Sequence, residues 1–156
     1  QDWDILKYPL HDAFQHFYAK LAHLYLEERA LHDGEYNQPC FERLEVDAAD
    51  YVTYAWERRA GGETIVTVMN LSDQFWKDFP VGLPMYYELE ELLNTDWKEF
   101  GGNTSREDQN FHVVDEEHRK RPQTLYADLP PFTARMFKVK GVKTPARKKD
   151  VPAGRR

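Results

Sequence analysis

The sequence predicts a mainly β chain: an antiparallel β-sandwich preceded by one amphipathic helix. Three observations carry this. From residue 41 onward, short runs rich in Val, Thr, Tyr, Phe and Trp recur with turn residues between them, the pattern of strands joined by hairpins. Before residue 30, apolar residues repeat with a helical period instead. Aromatic residues make up 14% of the chain, as Trp 4, Tyr 9 and Phe 9, a share that suits pleated, half-buried surfaces or a ligand platform. With 156 residues, one ordinary domain with a real core is expected.

The elements follow in order. Tyr8-Pro9 opens the helix, because proline is tolerated in a first helical turn and disfavours helix in the residue before it. The helix is expected over residues 10–28. Phe14, Phe17, Leu21 and Leu24 fall on one stripe, which Tyr18 and Tyr25 widen. Such a stripe needs an apolar partner, either in its own domain or in a neighbour. Residues 30–39 read as a loop. Residues 41–46 and 51–58 read as strands around a turn at 47–50, with Val52, Tyr54 and Trp56 on one face of the second. Gly61-Gly62 marks the next turn, and residues 64–70 form a buried, β-branched strand. Residues 71–79 read as a connection. Residues 86–93 form a strand that feeds NTDWKEFGG, where Asn94, Thr95 and Asp96 favour a turn and Gly101-Gly102 supply positive φ. After the polar loop 103–110 come a short strand at 111–114 and a charged, solvated loop at 115–121. Residues 124–129 and 132–139 make a final strand pair around Pro130-Pro131. From Gly141 the tail is rich in Pro, Lys and Arg and is expected to be disordered.

The charge is uneven. The net value is -6, yet from Lys138 onward there are eight basic residues against Asp150, leaving 13 basic and 26 acidic residues before it. An acidic body is not expected to bind nucleic acid. One cysteine, Cys40, excludes an internal disulfide and fits a reducing compartment. No apolar run approaches the roughly 20 residues of a membrane span, and no signal peptide is visible. The chain starts at Gln1 rather than Met, as a piece of a longer protein or a processed product would.

Little in the sequence points to chemistry. His16 and His23 lie seven residues apart, two turns along the helix and too far to share a metal ion. Glu88, Glu90, Glu91 and Glu116-Glu117 read as solvated faces rather than a catalytic carboxylate pair. No GxSxG or P-loop pattern is present. No catalytic residue, metal ligand or cofactor is therefore named. Trp56 reads as core. Trp3, Trp76 and Trp97 each have a core reading and a sugar-stacking reading, since exposed aromatic faces pack against sugar C–H surfaces.

Four segments resemble one family. DWDILKYPLHDAFQHFYAKLAHLYLEERAL, through Asp2-Trp3, Leu6, Tyr8-Pro9, His11, Gln15, Leu21, Leu24-Tyr25 and Ala30-Leu31, resembles the last catalytic-barrel segment of 1,4-α-glucan (glycogen) branching enzymes. MNLSDQFWKDFPVGLP, ELEELLNTDWKEFGGN and YADLPPFTARMFKV resemble successive parts of their C-terminal β domain. Together they cover residues 2 to 139 in the family's order.

The resemblance implies an α-amylase superfamily enzyme that transfers an α-1,4-glucan segment to an α-1,6 position by a retaining mechanism. The catalytic carboxylates of that family lie on barrel loops that have no counterpart here, so this chain alone is expected to be inactive. It implies residues 1–32 as the last helix segment of the barrel, 33–140 as the C-terminal β-sandwich and 141–156 as a basic tail. The Phe14, Phe17, Leu21 and Leu24 stripe would then face the barrel. The implied partners are the barrel and α-1,4-glucan, with Trp97, Trp76 and Trp3 as candidate glucan contacts. No nucleic acid, membrane or cofactor is implied, and the implied location is cytoplasmic. Where many members carry Trp after Phe-Glu, this chain has Arg43, so that glucan contact does not carry over. A free-standing carbohydrate-binding module, a purely structural domain and another α-amylase superfamily member remain the rival readings.

Overall fold

The computed structural model describes residues 3–47 and 50–144. A 3-10 turn, Trp3–Lys7, leads into α1, Pro9–Glu27, with proline in its first turn. A short α2, Arg29–His32, and a 3-10 turn, Gln38–Cys40, follow. Eight strands follow among the described residues: β1 Phe41–Asp47, β2 Thr53–Ala60, β3 Glu63–Asn70, β4 Trp76–Leu83, β5 Tyr87–Asn94, β6 Phe111–Val114, β7 Gln123–Leu129 and β8 Ala134–Val142. They form a five-stranded sheet, β1-β2-β3-β8-β5, and a three-stranded sheet, β4-β7-β6, with every pairing antiparallel. The expected class, a mainly β sandwich behind one helix, is what is observed.

Two cores hold it together. Between the sheets, Val66, Val68 and Phe137 meet Val81, Leu83 and Leu125. On the other face of the five-stranded sheet, Ile65, Leu93 and Met136 meet Leu24, Ala30 and Leu31 from the helices. β3 therefore contributes to both cores, which explains its unbroken β-branched run. Gly61 and Gly62 have φ of 60° and 79°, so Ala60 and Glu63 pair directly across a two-residue hairpin that requires left-handed residues at both positions.

Several elements differ from the sequence expectation. The expected loop at 30–39 contains α2, whose Ala30 and Leu31 are buried. β4 begins inside the expected connection at 71–79. Pro80 hides it from a pattern search, but β4 is an edge strand, where proline is tolerated. In β2 the alternation holds, but Thr53, Ala55 and Glu57 are the buried residues, and Tyr54 and half-buried Trp56 alternate with them on the helix side. β7 and β8 are not a hairpin: they belong to different sheets, and Pro130-Pro131 forms a corner between them. Buried Asn70 pins that corner by donating its side-chain amide to the carbonyls of Leu129 (3.1 Å), Pro130 (2.9 Å) and Gln74 (2.8 Å).

The charged loop at 115–121 is more than a solvated connection. Arg121 donates to Glu42 Oε1 (2.7 Å) and to the Arg43 carbonyl (3.0 Å), and Arg119 pairs with Glu45, fastening the three-stranded sheet to β1. β8 runs through Gly141 and Val142, which pair with Glu88 and Tyr87, so the chain is strand where the tail was expected to begin. The rest of that tail, 145–156, and the turn residues 48–49 lie outside the described residues.

Candidate functional site

The NTDWKEFGG loop shows how the helix is placed. Asp96 donates its amide to Asn94 Oδ1 (2.9 Å), and Thr104 donates its hydroxyl to Asp96 Oδ2 (2.6 Å). A Cβ at Gly102 would lie 2.1 Å from the Asp96 carbonyl oxygen, so only glycine lets the loop close. The closed loop presses Trp97 into the core between helix and sheet. Phe100 stacks edge-on against Phe17 of α1 at 5.6 Å, and the Arg106 guanidinium covers the Trp97 ring at 4.3 Å. The loop is a clamp for α1.

This placement corrects the expected orientation of α1. Phe17, Leu21 and Leu24 pack on the chain's own β-sheet, not toward a neighbour. The apolar surface continues around the helix, where Leu10, Phe14, Tyr18 and Leu26 are 63–74% exposed. Tyr18, Tyr25 and Leu26 form one wall of an apolar groove of about 760 Å³, and Trp56, Met69 and Met136 form the sheet side. Of those four exposed residues, Tyr18 and Leu26 border the groove, and apolar surface of that kind is uncommon on a free-standing domain. The signal was legible as an apolar arc too wide for one packed face.

The three tryptophans are not brought together. Trp97 is 4% exposed and its face is taken by Arg106, so it offers no stacking surface in this arrangement. Trp3 is 64% exposed on the 3-10 turn before α1. Trp76 opens β4, half-buried, and donates its indole N–H to the Tyr51 carbonyl at 3.1 Å. Tyr51, which sequence reasoning took only as a strand residue, packs edge-on against it at 4.9 Å.

The ionisable groups read as structural. Among the described residues, no group of three or more His, Cys, Asp or Glu is placed to hold a metal ion. Burial pushes the Glu57 carboxyl up, against the Tyr87 hydroxyl that donates to it at 3.0 Å and the nearby Arg59. Arg59 comes within 3.0 Å of Glu57 Oε1 but off the hydrogen-bond direction, so that oxygen has no proper donor. Lys138 is held above the usual lysine range by its hydrogen bond to Glu28, which outweighs burial; Glu63 adds to the effect. This cluster lies where the α1–α2 break meets β3 and β8, and ties the helices down. Glu91 pairs with buried Arg135 at 2.6 Å inside the fold. No described helix is long and apolar enough to cross a membrane.

Comparison with known proteins places this arrangement. Residues 44–140 match the family described as "Alpha amylase, C-terminal all-beta domain". The 1,4-alpha-glucan branching enzyme GlgB of Vibrio parahaemolyticus is 32% identical over 138 residues, 88% of this chain and 18% of that protein. The enzyme of the same name from Myxococcus xanthus is 30% identical over 87% of this chain and 19% of its own length. That from Halothermothrix orenii is 23% identical over 88% and 22%. The chain thus spans about a fifth of the curated relatives it matches. Among solved structures, the crystal structure of alpha-amylase from H. orenii aligns with a TM-score of 0.38 at 13% identity, over 70% of this chain and 19% of that one. The match to residues 44–140 covers well over half of the chain, and the chain belongs to the alpha-amylase C-terminal all-beta domain family.

Proposed function

We propose that this chain is the C-terminal part of a 1,4-α-glucan branching enzyme, and that its own task is to brace the catalytic barrel. Residues 1–32 are then the barrel's last helix segment and 33–140 the β domain. The single observation that carries the reading is the uncovered apolar arc of α1 above the sheet: one edge is packed, the other is exposed beside an apolar groove. A helix shared between a β domain and a barrel needs both edges apolar. The parent is a glycosyltransferase acting on α-1,4-glucan, and this chain supplies none of its catalytic carboxylates. A single free cysteine fits a cytoplasmic setting.

The test is a chimera. The region of the Myxococcus xanthus relative that matches this chain is replaced by it, and branching of amylose is followed by the fall in iodine absorbance. Retained branching, lost when Tyr18 and Leu26 are changed to Glu, supports the reading. A soluble, folded but inert chimera, or branching by the 156-residue chain alone, overturns it.

A further inference from the structure

We propose a sugar-binding subsite at the Tyr51–Trp76 corner, on the edge of the three-stranded sheet. The concavity there is about 340 Å³, within the size range of small-ligand sites. Tyr51 stands nearly at right angles to both Trp76 (70°) and Phe79 (65°), so the rings form a corner rather than a flat patch. The Trp76 indole is fixed by its bond to the Tyr51 carbonyl, so the wall is preorganised.

The rim is polar. Lys77, His118 and Arg119 border the aromatic wall. Glu45 is buried and paired with Arg119, so the Arg119 charge is compensated within the wall, and Lys77 and His118 border it as hydrogen-bonding groups. An apolar wall with hydrogen-bonding groups at its border matches a neutral pyranose, whose C–H face is apolar and whose hydroxyls radiate from its edge. The α-glucan class rests on the branching-enzyme reading above; a site of sugar size and chemistry does not.

The backbone supports a built site. Val52, directly after Tyr51, has φ of 51°, and Asp78, two residues after Trp76, has φ of 47°. A β-branched residue in the left-handed region is a genuine outlier, and such strain persists where the surroundings impose it. The β4–β7 register also shifts between Trp76 and Phe79, and bulges of this kind re-aim side chains. Both ring-bearing segments are therefore held in unusual conformations that converge on one corner.

The experiment is a titration of the ¹⁵N-labelled 156-residue chain with maltoheptaose, reading the indole N–H resonances of the four tryptophans. The Trp76 signal is expected to shift saturably while the buried Trp97 signal stays still. Tyr51→Ala is expected to weaken the affinity at least tenfold, and Lys77→Ala, a milder surface change, at least twofold. A silent Trp76 signal in the unaltered chain overturns the site, as does an affinity unchanged in both variants. Equal binding of cellohexaose overturns the α-glucan assignment. A chimera that branches while Trp76 is silent removes only this subsite; a Trp76 shift in a chain whose chimera is inert removes only the branching reading.

Discussion

Trp97→Ala separates a structural role for the NTDWKEFGG loop from a glucan-contact role. The ring is 4% exposed and packs with Leu93, Ile65 and Met136. Truncating a buried Trp to Ala costs about 3–5 kcal/mol, because the transfer energy is lost and the cavity only partly collapses. The clamp weakens as well: Phe100, 6.0 Å from Trp97, holds Phe17 of α1. A total near 4 kcal/mol is a large part of the ~5–15 kcal/mol that a domain has. With a urea slope of about 2 kcal/mol/M, the unfolding midpoint should fall by about 2 M. Circular dichroism in urea reads this directly. Trp3→Ala, at a 64% exposed position, is the control and should shift stability by less than about 0.5 kcal/mol. A Trp97→Ala midpoint within about 0.5 M of the parent, together with lost glucan affinity, would refute the clamp.

Three other outcomes follow from the same structure. Glu57 is pushed up by burial in the folded state, so folding favours its protonated form; its contribution to stability should be full below about pH 4.5 and fall as pH rises, while Glu63, which the Ala30 amide and Lys138 hold low against burial, contributes in the opposite sense. Urea unfolding from pH 4 to 8 should show this fall, and Glu57→Gln should flatten it, leaving a remnant from Glu91, which burial also pushes up despite Arg135. Arg135→Ala should cost about 3–5 kcal/mol, since it strands the buried Glu91 charge and also removes the donor to the Asn110 (2.9 Å) and Asp128 (2.8 Å) carbonyls. The Arg135→Met, Glu91→Leu double variant should recover much of that loss in the same urea assay. Tyr18→Glu with Leu26→Glu, both at exposed positions, should leave the midpoint nearly unchanged while reducing binding of a hydrophobic dye. A dye signal equal to the parent's would show that the groove is not the apolar surface described.

What the sequence disclosed follows from which signals are local. β3 and β5 announced themselves because their runs are bounded by turn residues, and the Gly61-Gly62 hairpin follows from φ requirements within four residues. β4 escaped because Pro80 is penalised unless the strand lies at an edge, and edge status depends on the whole sheet order. The β7–β8 corner was misread because adjacency suggests pairing, whereas Asn70, some sixty residues earlier, decides otherwise. Trp76 and Trp97 looked alike as aromatics near turn residues. What separates them is remote: α1, through Phe17 and Phe100, helps cover one, while Tyr51 flanks the other and leaves a corner beside it. Exposure of an aromatic is a tertiary property, and its immediate neighbours in sequence do not carry it.

The helix gives the clearest case of a local signal with two meanings. Phe17, Leu21 and Leu24 satisfy the period that predicts an amphipathic helix, and the sheet uses them. Leu10, Phe14, Tyr18 and Leu26 on the same helix remain exposed. Fully burying one such large apolar side chain is worth about 1.5–3 kcal/mol, so four together offer a partner several kcal/mol even after side-chain ordering of about 0.5–1.5 kcal/mol each. The sandwich cannot collect that energy, because its sheet already meets the other edge of the helix and the clamp fixes the rotation. A helix whose rotation is locked with one apolar edge in and one out is matched to two surfaces at once. On the reading proposed above, a barrel surface that used both would be apolar and would reach both the helix flank and the groove beside Trp56 and Met69.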